Sequence, residues 1–250
     1  MFELILFEGR KLEPILLTGL ILLGVGSYLL GSVCWAIIIS SIKLKNDIRE
    51  FGDGNPGAFN TGRKLGVKIG LLVMFLDSLK GLIPAIIATT VDFKDYQGWA
   101  VGIAGTLSLV GHCYPIYFGF KGGNGYSTIF GFMLIYNPFM ILEWGLFVFL
   151  LTLIFKYIRP MQMISIILTG ISGLFIKWNF FWINLGYRLD YDTAISTIPI
   201  TLLVVSLFQL PRFIPYFFGI FKGTEEKMYL LGKLFKRSKT NEEVSLTLQE

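Results

Sequence analysis

Two glycine-rich stretches hold most of the side chains in this sequence that could do chemistry. One reads DIREFGDGNPGAFNTGRKLG, Asp47 to Gly66, and the other GHCYPIYFGFKGGNGYST, Gly111 to Thr128. Glycine lets backbone N–H groups approach an anion and point inward, while nearby cations neutralise it and amides orient it. The first stretch offers Gly54 and Gly57 with Arg49, Arg63, Lys64, Asn55 and Asn60; the second offers Lys121, Gly122, Gly123 and Asn124. Both suit a phosphate. The alternative is a pair of tight turns between helices, with Lys121 serving only as a charged anchor.

Other phosphate chemistries fit less well. Gly52, Gly54 and Gly57 make a formal G-x-G-x-x-G, but it follows an apolar run rather than a Rossmann strand, so no dinucleotide fold is expected. Neither stretch has the G-x-x-x-x-G-K-[ST] spacing of an ATP-binding loop, and no nucleotide is expected. His112 is the only histidine, so an imidazole acting near neutral pH must be this one, either as a helix-end donor or as a donor to substrate phosphate. Its neighbour Cys113 does not share its helix face, which gives no Cys–His dyad. One histidine and two separated cysteines make no metal or haem ligand set, and no metal or other cofactor is expected.

The elements that position these residues lie in a membrane. The chain is 54% hydrophobic and only 16% charged, with a mean hydropathy of +0.65, too apolar for an ordinary soluble domain. Apolar runs at 15–42, 65–90, 99–118, 126–135, 139–155, 161–176 and 194–210 predict an all-α polytopic bundle of about seven transmembrane helices. Lys and Arg crowd the connections 43–64, 119–126 and 156–160 and the segment 211–250, while Arg10, Lys11, Lys94, Lys177 and Arg188 fall on the other side. That excess predicts the N-terminus outside and the C-terminus inside. The first apolar run is too long for a cleaved signal core and should remain as a span. A single membrane domain over 1–222 is followed by a basic tail, 223–250, whose Lys233, Lys236, Arg237 and Lys239 suit anionic lipid rather than nucleic acid.

Polar residues inside spans need reasons of their own. Asp77 and Lys80 are three apart and share a helix face, so the pair should look into the bundle, as a buried ion pair or as a substrate contact. Ser32 in LLGSVCWA has the simpler role of close helix packing open to it, as do Gly66 and Gly70.

In this order the motifs resemble those of the integral-membrane glycerol-3-phosphate acyltransferases that use acyl-phosphate as donor. GSVC, Gly31 to Cys34, is similar to the family's G-S-x-P, and the Asp47–Gly66 loop to D-I-R-x-x-G-S-G-N-x-G-A-T-N-x-x-R-x-L-G. DSLKGLIP matches D-x-x-K-G-x-x-P, the Gly111–Thr128 stretch resembles G-H-x-F-P-x-x-x-x-F-K-G-G-K-G-V-A-T, and FKGTEEK resembles the family's G-T-E-x-K ending. The resemblance implies a seven-helix enzyme of the cell membrane, with its active-site loops facing the cytoplasm. It would move a fatty acyl group from acyl-phosphate to the 1-hydroxyl of glycerol 3-phosphate, giving lysophosphatidic acid for phospholipid synthesis without a cofactor. By position it implies Ser32, Arg49, Asn55, His112 and Lys121 as catalytic, and Gly54, Gly57, Asn60, Arg63, Lys80, Gly122, Gly123 and Asn124 as substrate-binding.

The pattern is broken at several of these places. Asp53 stands where the family has Ser, Phe59 for Thr, Cys34 for Pro and Asn124 for Lys. KYIRP, Lys156 to Pro160, replaces R-Y-x-S-L, and PRFIP, Pro211 to Pro215, replaces H-R-x-N-I. An added Asp and a lost Lys both push against a phosphate. A lipid-binding relative without this transfer, or less readily a transporter, is the alternative.

Overall fold

The computed structural model describes residues 13–176, 191–225 and 227–228, and among them every regular element is helical. The chain is an integral-membrane helical bundle. Six of its segments are long and apolar enough to cross a bilayer, and a seventh, shorter apolar helix lies among them. The expected basic positions Arg10, Lys11, Lys177, Arg188, Lys233, Lys236, Arg237 and Lys239 lie outside the described residues.

The first expected span, 15–42, is two helices rather than one. α1 (Pro14–Gly31) starts on a proline and stops at Ser32, and α2 (Trp35–Leu44) resumes after the extended residue Cys34. The cause is tertiary. A side chain at Gly31 would collide with the Ser108 carbonyl and one at Gly111 with the Tyr28 carbonyl, so α1 lies backbone to backbone on α5 (Gln97–Cys113) at that point. The break also frees the Val33 carbonyl, which would be spent inside a continuous helix.

The short polar helix α3 (Ala58–Leu65) is separated from α4 (Val67–Thr90) by Gly66, whose φ of 96° only glycine adopts readily. Gly70 packs as expected, where a side chain would strike the Ala58 carbonyl and the Gly62 backbone. Gly66 does not: it is the hinge, with open space where a side chain would be. α4 then meets α6 (Tyr126–Tyr136) through two more bare positions, Gly81 against the Thr128 carbonyl and Gly131 against the Ser78 carbonyl.

α6 has 11 residues, a rise of roughly 16 Å, about half of a bilayer core. It begins deep because the preceding loop folds back along α5, with Gly125 against the Leu109 side chain. α7 (Pro138–Phe155) opens on an Asn137 cap whose Oδ1 accepts from the Phe139 N–H at 3.0 Å, and it turns Leu142, Leu146, Phe149 and Ile154 outward as lipid does not penalise. α8 (Ile158–Phe175) and α9 (Tyr191–Lys222) pack against each other. α9 runs past the end of the expected span at 210, through Pro211 and Pro215, to Lys222, where the expected tail begins.

The connections sort to two ends. At one, Lys94 Nζ pairs with Glu13 at 3.0 Å; at the other, the connections 45–57, 119–125 and 156–157 meet the segment after α9. Replacing Gly131 with valine should part α4 from α6 and cost about 1–3 kcal/mol, read as a lower melting temperature in detergent; an unchanged melting temperature would contradict this packing.

Candidate active site

The deepest part of the site is a buried charge cluster beneath the loops. Lys80, 1% exposed, holds Asp77 Oδ1 at 2.9 Å and donates to the Val33 carbonyl at 2.9 Å. Its third contact is His112 Nδ1 at 3.0 Å. An ammonium has only N–H to offer, so Nδ1 accepts and the ring proton sits on Nε2. Nε2 lies where a side chain on Gly123 would be. Lys80, expected among the phosphate-binding residues, is therefore spent inside the protein, and its role is to hold α4, α5 and the break after α1 in one geometry. His112 is held as a neutral donor under the glycine loop.

The FKGGNG loop is built by the end of α5. The Gly122 N–H donates to the Cys113 carbonyl and the Gly123 N–H to the His112 carbonyl, both at 3.1 Å. These two amides do not form the expected anion nest. Their glycines serve close approach instead, because a side chain at Gly122 would strike the His112 carbonyl. Lys121 remains exposed beside them.

Arg49 joins the two loops. Asp47 accepts from the Arg49 backbone N–H, from Nε at 2.9 Å and from a terminal nitrogen at 2.7 Å. The other terminal nitrogen donates to the carbonyls of Phe118 and Lys121, each at 3.0 Å. Burial alone would raise the Asp47 pKa, but these hydrogen bonds from Arg49 outweigh it and hold the carboxyl below its usual range. Asn60, buried, donates to the carbonyls of Ile48 and Phe51, and shapes the loop rather than facing a ligand. Gly54, with φ of 69°, makes the turn, and Gly57 leaves room for the Asn55 amide, which a side chain there would crowd. Asn55 Oδ1 is buried without a hydrogen-bond partner. Ser32 sits at the α1 break with its hydroxyl donating to the Tyr28 carbonyl at 2.8 Å. Arg63 lies on the exposed side of α3, stacked 4.3 Å over the Phe59 ring.

Sequence reading missed a third layer. Arg159, at the start of α8, pairs with Asp53 at 2.9 Å and with Glu225 at 3.6 Å, and lies 5.1 Å over the Tyr216 ring. The expectation that Asp53 opposes a phosphate is corrected here, since its charge is taken up by Arg159. On α9, Arg212 donates to the Gly122 carbonyl, Gln209 Nε2 to the Asn124 carbonyl at 2.6 Å, and Tyr216 receives the Asn124 amide at 3.4 Å. Arg212 and Tyr216 sit in the sequence next to departures that drew attention; Gln209 has no local signal beyond its spacing. Among the described residues no carboxylate pairs with Lys121, in the glycine loop, or with Arg212, which donates to that loop's Gly122 carbonyl, so two positive charges without a counter-charge meet at one loop.

The fold and this arrangement define a polytopic membrane protein with a basic, loop-built site at one end of the bundle. A model of the family described as glycerol-3-phosphate acyltransferase matches residues 21–214. The glycerol-3-phosphate acyltransferase of Aquifex aeolicus (strain VF5) is 42% identical over 151 residues, covering 60% of this chain and 75% of that one. Glycerol-3-phosphate acyltransferase 2 of Bacillus anthracis is 35% identical over 207 residues, 81% of this chain and 95% of its own. The crystal structure of PlsY (YgiH), an integral membrane glycerol 3-phosphate acyltransferase in its glycerol 3-phosphate form, superposes with a TM-score of 0.68 at 30% identity, over 87% of this chain and 100% of that one. Its lysophosphatidic acid form gives 0.66 at 28% identity, over 84% and 95%. The chain belongs to the glycerol-3-phosphate acyltransferase family.

Two predictions follow from the ion pairs. Lys80→Met strips the buried Asp77 carboxylate of its cation and should cost about 3–5 kcal/mol, visible as a large drop in melting temperature, with Asp77→Asn added to it restoring part of the loss. Reversing the other pair, Asp53→Arg with Arg159→Asp, should recover stability that either single change loses; singles with no thermal effect would show the pair to be idle.

Proposed function

We propose that this protein transfers a fatty acyl group from acyl-phosphate to the 1-hydroxyl of glycerol 3-phosphate, forming lysophosphatidic acid for phospholipid synthesis. The loop end of the bundle then faces the cytoplasm of the cell membrane, in line with its excess of Lys and Arg. The observation that carries the reading is the pair of cations without a carboxylate partner, Lys121 in the glycine loop and Arg212 against its Gly122 carbonyl, beside helices long and apolar enough to span a membrane. Water-soluble phosphate and acyl chain can meet there. The names of the relatives and of the PlsY structures support the same substrate class.

A mixed carboxylic–phosphoric anhydride is already activated, so the protein need not form a covalent intermediate. The acceptor oxygen bonds to the acyl carbon, the bond from that carbon to the phosphate oxygen breaks, and inorganic phosphate leaves. The acceptor proton goes to a phosphate oxygen, because the His112 nitrogen that could take one is occupied by Lys80. Lys121 and Arg212 stabilise the charge growing on the leaving phosphate, and Asn55 orients substrate with its free amide oxygen. Arg49, Ser32, His112 and the loop glycines act by holding the two loops in register. No nucleotide or metal is needed for this step.

Full-length protein in detergent, given acyl-phosphate and glycerol 3-phosphate, should release inorganic phosphate and lysophosphatidic acid. Lys121→Ala should lower turnover at least about 100-fold while leaving the melting temperature within a degree or two. No turnover above background with any of several acyl chain lengths would overturn the assignment.

A further inference from the structure

One turn-by-turn face of α9, Gln209, Arg212, Phe213 and Tyr216, lies along the loop from Gly122 to Tyr126. Four contacts fix that register: Gln209 to the Asn124 carbonyl, Arg212 to the Gly122 carbonyl, Asn124 to the Tyr216 hydroxyl, and the Phe213 ring 5.4 Å from the Tyr126 ring. The spacing i, i+3, i+4, i+7 puts all four residues on one side of the helix.

Along this seam four buried polar atoms have no hydrogen-bond partner: Gln209 Oε1, Asn124 Oδ1, Arg212 Nε and the Tyr126 hydroxyl. Gln209 is 0% exposed, and its amide orientation is fixed because Nε2 must face the Asn124 carbonyl. Buried polar atoms in folded proteins are almost always hydrogen-bonded, so four left unpaired along one seam mark a place where something polar docks. Their chemistry says what. Two amide oxygens want O–H donors, and a guanidinium N–H beside them wants an anion. A small polyol phosphate carries both.

We infer that Gln209 is a specificity-determining residue that accepts a hydrogen bond from the hydroxyl of the acceptor that is not acylated, with Asn124 beside it. The inference rests on the proposed function, since it assigns one part of the glycerol phosphate to one side chain. In glycerol 3-phosphate the hydroxyl concerned is that on C2. The C1 hydroxyl gives up its proton during the transfer, whereas the C2 hydroxyl keeps its proton throughout and needs an acceptor from binding to release.

The test pairs a side-chain deletion with a substrate deletion. Glycerol 3-phosphate is compared with 3-hydroxypropyl phosphate, which has the reacting hydroxyl and the phosphate but no C2 hydroxyl. The wild-type protein should prefer glycerol 3-phosphate by about 10-fold or more, as KM in the acyl-phosphate assay and as Kd by calorimetry in nanodiscs. Gln209→Met, of similar length, should raise KM for glycerol 3-phosphate by a comparable factor, leave KM for acyl-phosphate unchanged, and erase the preference. A merely structural glutamine would weaken both acceptors equally, and that result overturns the inference, as would a wild-type protein indifferent to the C2 hydroxyl, whether or not the variant folds. Wild-type protein that binds glycerol 3-phosphate with a Gln209-dependent preference yet transfers no acyl group would sink the proposed reaction and leave this subsite standing. Binding of neither compound would overturn both.

Discussion

The architecture of the site depends on one buried ammonium. A lone charge at membrane depth costs about 2.5–3.5 kcal/mol on insertion scales, and Lys80 is kept there only because three helices supply partners at once. Asp77 lies one helical turn away on α4, the Val33 carbonyl comes from the break between α1 and α2, and His112 comes from the end of α5. The backbone at the same place is gripped too: the Ser108 hydroxyl donates to the Lys80 carbonyl at 2.5 Å and the Thr128 hydroxyl to the Asp77 carbonyl at 3.1 Å. A rotation or slide of α4 would break contacts to α1, α5 and α6 together. The cluster therefore transmits rigidity upward, through His112, to the loop that carries Lys121.

Close approach is the second condition, and it explains where the glycines go. Gly31, Gly111, Gly81 and Gly131 let backbones touch where hydroxyls and carbonyls must meet across helices. Gly122 does the same for a loop against a helix end. The Gly122 and Gly123 amides are spent on the end of α5, so under the proposed function an anion is met by side chains, Lys121 and Arg212, rather than by those two amides. Glycine here sets how closely the loop carrying Lys121 lies on the end of α5.

Much of the fold could be read from the sequence because the signals were local. Apolar runs marked the spans, and the spacing of Asp77 and Lys80 put them on one inward face. The break after Ser32 was not legible, since it arises from α5 pressing on Gly31 rather than from any helix-breaking residue. Nor was the extension of α9 through Pro211 and Pro215, where tertiary contacts from Arg212, Phe213 and Tyr216 outweigh the missing N–H groups. The motif residues were found, but their division into those that face a ligand and those that hold the loops was not. Arg49, Asn60 and Lys80 look in sequence like anion ligands, and only the structure shows the carboxylates and carbonyls that each of them holds within the protein. Gln209 reaches a carbonyl 85 positions away, which no local pattern encodes.

The departures from the family pattern read differently once their neighbours are known. Taken singly, Asp53 adds a negative charge and Asn124 removes a positive one beside an expected phosphate. In three dimensions Asp53 meets Arg159, itself a departure, and the two changes cancel in charge while tying the first loop to α8. Arg159 also reaches Glu225, so the segment after α9 is drawn over the same edge. Asn124, relieved of a lysine's length, turns its amide toward Tyr216 and leaves an acceptor oxygen beside Gln209. Arg212, the arginine that PRFIP keeps from H-R-x-N-I, donates to the Gly122 carbonyl from the helix behind the loop. The replacements thus occur in contact with one another, Asp53 with Arg159 on α8 and Asn124 with Tyr216 on α9, so each loses the isolated charge or length change that it shows in sequence.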